Sequence, residues 1–231
     1  MIRTGGVLAS LAMLCLAGAS LPARALSIDA LSEKDTSSGL KAALGESVEK
    51  AVAQLGAKDG FLSNPKVTIP LPKALEKADK AMRRLGMGGK ADELKVTMNH
   101  AAEAAVTEAT PVLKAALKKM TLEDAKGILT GGDDSATVYF RKAAGDDLLA
   151  RFKPVVMRAT AKLKLARVYD QYAGKAAALG LLDAKDANLD DYVTAKTLDG
   201  LFVVMADEER AIRKDPLGQA SSLIRKVFGA H

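Results

Sequence analysis

Tryptophan is absent from these 231 residues, histidine occurs twice and cysteine once. Each shortage removes a class of chemistry. The single cysteine, Cys15, lies inside an apolar N-terminal run, so everything after it lacks both a disulfide and a thiolate metal site. One of the two histidines, His231, is the last residue, so a serine-triad or zinc hydrolase would have to be assembled around His100 alone. Neither G-x-S-x-G nor H-E-x-x-H occurs. Aromatic residues make up only 4% of the chain and are not interleaved with basic ones, and no finger motif is present, so nucleic acid is not an expected partner. Charge of one sign is also in short supply: 34 basic against 28 acidic residues, a net +6 spread along the chain. That weak bias suits adhesion to an anionic envelope surface better than reading of a nucleic acid.

What is present begins at the N-terminus. Arg3 precedes an apolar run from Val7 to Leu21, and Ala23-Arg24-Ala25 places small residues at the −3 and −1 positions of a cut after Ala25. This is the order of a signal peptide over residues 1–25, with a single domain over 26–231 expected in the periplasm. The run is shorter than the roughly 20 residues that span a bilayer, and Gly18 and Pro22 interrupt it, so no transmembrane segment is expected in the mature chain. Leu14 precedes Cys15 where lipidation needs a small residue, so a lipoprotein is not expected.

Apolar spacing is helical almost throughout. Leu40, Ala43, Leu44, Val48, Val52 and Leu55 share one face of a first helix, opened near Ser32 and Asp35 and closed by Gly56. "DGFLSNPKVTIPLP", residues 59–72, cannot be helix. Pro65, Pro70 and Pro72 fix φ and remove donors, while Phe61, Leu62, Val67, Ile69 and Leu71 are too apolar for a free linker. The pattern predicts a long extended strap laid over the helices. Further helices are expected over 72–85, over 91–119 with a kink or restart at Pro111, and from Thr121 to Thr130, with Asp124 completing a capping box. Helical periodicity then runs from Asp134 to Leu179 with breaks near Gly145 and Pro154, and resumes over 190–214 and beyond Pro216. The expected fold is all-α, one bundle-like domain of about eight helices.

Three loops resemble ligand motifs and fail on spacing. "GMGGK", 86–90, lacks the remaining phosphate-loop glycine spacing, and Ala91 stands where a magnesium-binding hydroxyl belongs. From Asp186, the residues Asn188 and Asp190 match a calcium loop, but Asp191 replaces its glycine and Thr197 its final glutamate, so Asn188 reads as a helix cap. In "ILTGGDDSATVYFRK", 128–142, no strand precedes the glycines and no lysine follows at the required distance. Gly131 and Gly132 are expected to supply positive φ at a helix end, and Asp133 or Asp134 to cap the next helix. No metal site and no cofactor are expected.

The remaining candidates are polar residues in helical contexts. His100 and Glu103, three apart, share a face and could pair a base with a carboxylate. Asn99 and Glu103 sit among small residues in "TMNHAAEAAV", where burial would oblige them to find partners in Arg83, Tyr139 or Arg141. Asp134, Thr137, Tyr139 and Arg141 with Asn99 and Glu103 form the expected polar cluster or ligand site, with no catalytic residue assigned. Residues 151–167, "RFKPVVMRATAKLKLAR", hold six basic side chains and no acid, a face suited to lipid phosphates. Tyr169, Tyr172, Leu179, Phe202 and Met205 read first as core and second as the lining of an apolar cavity.

Four motifs in order, "DGFLSNPKVTIPLP", "MNHAAEAAV", "MTLEDAKGILTGGDDSATVYFR" and "TLDGLFVVMADEERAIRKDP", resemble an exported bacterial family catalogued as domain of unknown function 4197. The resemblance runs from about Leu31 to Gly229 and implies export and a mainly helical fold. It supplies no reaction or substrate. The expected function is an exported binding or interaction module for an envelope component, an anionic lipid-like ligand or an envelope protein. The alternatives are an enzyme using acids and hydroxyls, and an oligomeric structural protein.

Overall fold

The computed structural model describes residues 33–73, 75, 76, 79, 83, 88–161, 188–216, 218 and 222–228. The expected signal peptide, most of the expected helix over 72–85, and residues 162–179 with Tyr169, Tyr172 and Leu179 lie outside the described residues. The expected count of about eight helices includes those segments. The described residues are all-helical, with no strand among them.

Helix α1, Glu33–Gly56, buries the predicted stripe, Leu40, Ala43, Leu44, Val48, Val52 and Leu55, together with Ala51. The restart expected at Pro111 within 91–119 falls two residues earlier, between helices α2 (Gly89–Val106) and α3 (Ala109–Lys119). The interruption falls at Thr107 and Glu108, and Pro111 sits in the first turn of α3, where its missing N–H would have no intrahelical acceptor. Helix α4, Leu122–Thr130, starts with the predicted box: the Thr121 hydroxyl accepts from the Asp124 N–H, and the Asp124 carboxylate accepts from the Thr121 N–H.

Helix α5, Ser135–Thr160, corrects the expected breaks, because it runs unbroken through Gly145 and Pro154. Pro154 lies on the exposed face, so the carbonyl it orphans at Ala150 also faces water. Phe152 and Val156 on either side are fully buried and hold the helix across it. Helix α6, Leu189–Lys214, begins at the expected cap, with the Asn188 side-chain oxygen Oδ1 accepting from the N–H groups of Asp190 and Asp191. Helix α7, Ser222–Phe228, returns to α1.

The centre of the molecule is the α5–α6 pair, with α2 packed on both and α1 across α2, α3, α6 and α7. Phe140 and Phe152 of α5, Phe202 of α6 and Phe61 of the α1–α2 connection are all buried in one core. That connection passes close to α6, and in place of the extended strap expected over 59–72 its first half is a run of turns, with the Ser63 N–H donating to the Asp59 carbonyl at 2.9 Å and the Thr68 N–H to the Asn64 carbonyl at 2.8 Å. A Cβ added to Gly200 would stand 2.6 Å from the Phe61 ring and 3.3 Å from Val67, so the glycine makes room for the aromatic ring. Val67, Ile69 and Leu71 are buried, the Tyr192 hydroxyl donates to the Pro70 carbonyl at 3.2 Å, and Lys66 pairs with Asp207 at 2.6 Å. Lys66, with Arg210 behind it, holds the Asp207 carboxyl below its ordinary pKa.

Neither glycine between α4 and α5 has the expected positive φ; Gly131 works by space, while a Cβ on Gly132 would meet nothing within 4 Å. Gly131 has φ −84, and a Cβ there would meet the Ser135 hydroxyl and the Gly127 carbonyl at 2.2 and 2.6 Å.

Candidate functional site

Two buried side chains of α2 hold the connection in place. Asn99 is 0% exposed and uses its whole amide. Its oxygen accepts from the Ile69 N–H at 2.8 Å, and its NH2 donates to the carbonyls of Ile69 at 3.0 Å and Lys95 at 2.8 Å. One turn later Glu103, 6% exposed, accepts from three backbone N–H groups: Asp59 at 3.2 Å on one oxygen, Phe61 at 3.1 Å and Leu62 at 3.2 Å on the other. Three amides supply the hydrogen bonds that a buried carboxylate requires.

Asp59, the residue with positive φ among the described non-glycine residues (63°), turns the chain there. Gly60 follows because a Cβ would lie 2.4 Å from the Gln54 carbonyl. The Asp59 carboxylate meets His100 Nε2 at 3.1 Å, and the same nitrogen is 3.9 Å from Glu103 Oε2. His100 and Asp59 are 44% and 37% exposed at their side chains, so this trio opens to solvent on one side and ends on a buried carboxylate on the other. It is the group of metal-ligating side chains found together among the described residues, its ligand atoms within 4.8 Å of one another.

The polar cluster expected from the sequence does not form. Asn99 and Glu103 serve the connection, and neither Tyr139 nor Arg141 approaches them as a partner. Arg141 stacks 4.5 Å above the Phe202 ring and faces Asp199 at 3.4 Å. Tyr139 donates to the Ala116 carbonyl at 2.8 Å, and burial, with Asp124 nearby, raises its pKa. Arg83 pairs with Asp79 and Asp92.

Asp134 occupies the N-cap position of α5 but makes no side-chain cap bond. The expected aspartate cap is therefore corrected: Glu209, on α6 and 73 residues after Ala136, does the capping. Its carboxylate accepts from the Ala136 and Thr137 N–H groups and the Thr137 hydroxyl, each at 2.9 Å. Arg213, one turn on, donates to the same carboxylate at 2.8 Å and to the Ile128 carbonyl at 2.8 Å. The pair thus closes the start of α5 and the end of α4 together. The sequence held a signal for it, since Glu209 interrupts the apolar stripe of Met205 and Ile212 with Arg213 at i+4.

Among the described residues a surface groove and a small void also stand out. An open groove of about 480 Å³ lies between α3 and α5, lined by Pro111, Val112, Ala115, Asp147, Ala150 and Arg151. Helical spacing puts Pro154, Met157 and Arg158 on the same exposed face of α5 as Ala150 and Arg151. Inside the core, Leu44, Val48, Phe140, Met205, Ile212 and Phe228 surround a void of about 20 Å³, room for a single water.

The family model described as "Protein of unknown function (DUF4197)" matches residues 30–229. No curated protein and no solved structure matches the chain.

Proposed function

The chain belongs to the DUF4197 family of proteins of unknown function, and from that premise we propose an exported helical module that binds reversibly to an anionic lipid surface of the cell envelope. The observation that carries this reading is the outward face of α5. Arg151 and Arg158 flank Pro154 and Met157, the last 46% exposed, and the groove wall of Pro111, Val112 and Ala115 extends the apolar surface beside them. Basic residues interleaved with exposed apolar ones suit the headgroup boundary, where each Lys or Arg contributes about 1 kcal/mol. The basic run continues in the sequence through Lys162, Lys164 and Arg167, outside the described residues.

Other occupants fit less well. Among the described residues, the void of about 20 Å³ lined by Leu44, Phe140 and Phe228 is far too small to enclose a lipid. An enzyme built on Asp124, Asp134, Thr137, Tyr139 and Arg141 would need them in one pocket, but Asp124 caps α4, Thr137, Tyr139 and Arg141 each bind a different partner, and Asp134 makes no side-chain cap bond. No described helix is long and apolar enough to cross a membrane, so contact through an exposed face is the mode left open to these helices. The N-terminal pattern supports periplasmic delivery, with the mature chain starting at Leu26.

Co-sedimentation with vesicles tests the proposal. The protein should pellet with phosphatidylglycerol vesicles and not with phosphatidylcholine at about 0.1 M salt, and be released at about 0.5 M. The double variant Arg151→Ser/Arg158→Ser should lose most of the binding. Equal binding to both lipids, no binding, or retention of an envelope protein through this face instead of vesicles would each overturn the lipid reading.

A further inference from the structure

We infer that Asp59, His100 and Glu103 form a binding site for one divalent cation of the zinc class, separate from the α5 face and independent of any membrane role. The donor set is one imidazole nitrogen and two carboxylates, each from a fixed element: His100 and Glu103 lie one turn apart on α2, and Asp59 is on the connection folded over it. Imidazole with carboxylate oxygens suits zinc and its neighbours better than calcium or magnesium, which prefer oxygen alone.

Ligand bonds of about 2.0–2.2 Å place donors roughly 3.2–3.6 Å apart around a tetrahedral ion. His100 Nε2 is 3.1 Å from Asp59 Oδ1 and 3.9 Å from Glu103 Oε2, and the three ligand atoms lie within 4.8 Å of one another. Sub-ångström to ångström shifts of the exposed Asp59 and His100 side chains bring the donors to those separations. Glu103 need not move. Three backbone amides hold its carboxylate, and they hold the ligand as a second shell normally does.

Charge points the same way. Among the described residues, His100 is the one basic side chain within ion-pair distance of either Asp59 or Glu103, so two carboxylates face a single imidazole and lack a full counter-charge. A divalent cation supplies it. The solvent-facing side, where His100 and Asp59 are 44% and 37% exposed, gives the ion an entry path and a position for water as fourth ligand.

Only two histidines occur in the chain, so the test has a clean reporter. Zinc titrated into metal-free protein by calorimetry should bind one to one and perturb the His100 ring resonances in NMR. His100→Gln and Asp59→Asn, both with helical circular dichroism unchanged, should each weaken binding at least about tenfold. His231→Ala should bind as the parent does. Should Asp59→Asn fail to fold, His100→Gln carries the comparison alone. Absence of zinc binding, binding that survives His100→Gln, loss of binding in His231→Ala, or binding of calcium or magnesium in preference to zinc would overturn the inference.

Discussion

Glu209 and Asp134 compete, in principle, for the same N–H groups at the start of α5, and the buried residue has them. The aspartate sits one position before the helix with water around it, where its charge is already well solvated. Glu209 reaches the amides from α6, 6% exposed, and Arg213 completes its coordination. Removing one member of a buried ion pair typically costs about 3–5 kcal/mol, because the partners left behind are desolvated and unpaired. Glu209→Ala should therefore lower the urea unfolding free energy by about that much, since it leaves two amides without an acceptor and Arg213 without its carboxylate, with only the Ile128 carbonyl to donate to. Asp134→Ala should change it by less than about 0.5 kcal/mol, as surface substitutions without a partner do. Equal effects of the two substitutions would show that the cap is not where the geometry puts it.

At the scale of elements, one contact measures how tightly the connection is fitted to α6. Phe61 lies against the backbone at Gly200, and a Cβ there would come within 2.6 Å of its ring. Overpacking a filled core costs about 1–3 kcal/mol. Gly200→Ala should reduce stability by that amount despite the better helix propensity of alanine, and Phe61→Leu should recover part of the loss in a double-mutant cycle. Simple additivity of the two substitutions would show that they do not touch. The helix signals that the sequence displayed were local ones: the Thr121–Asp124 box, the Asn188 cap and the apolar stripe of α1 all depend on neighbours within a turn or two. The misjudged ones depended on distant partners. Gly145 and Pro154 look like breaks by propensity, yet burial of Phe152 and Val156 against the rest of the core carries α5 across the proline.

For the molecule as a whole, the same division explains why Asn99 and Glu103 could be picked out and their role could not. Polar residues amid small apolar ones on α2 signalled buried hydrogen bonding, but the partners are backbone groups 30 to 44 residues earlier, which no side-chain pattern advertises. Those bonds make the connection part of the cooperative unit. It is tied to α2 through Asn99 and Glu103, and to α6 through Tyr192, Asp207 and the Phe61–Gly200 contact. Asn99→Ala leaves the buried Ile69 N–H and carbonyl unpaired, a loss of about 2–4 kcal/mol when both are counted. If the connection belongs to the global unit, that loss should appear as a lower urea midpoint with an unchanged slope, and the Ile69 amide in the parent should exchange with nearly the same free energy as amides in α5. If the connection instead opens on its own, the Ile69 amide should exchange far faster than those of α5, and Asn99→Ala should leave the midpoint where it was. Native-state hydrogen exchange at Ile69, read beside the urea curve, separates the two.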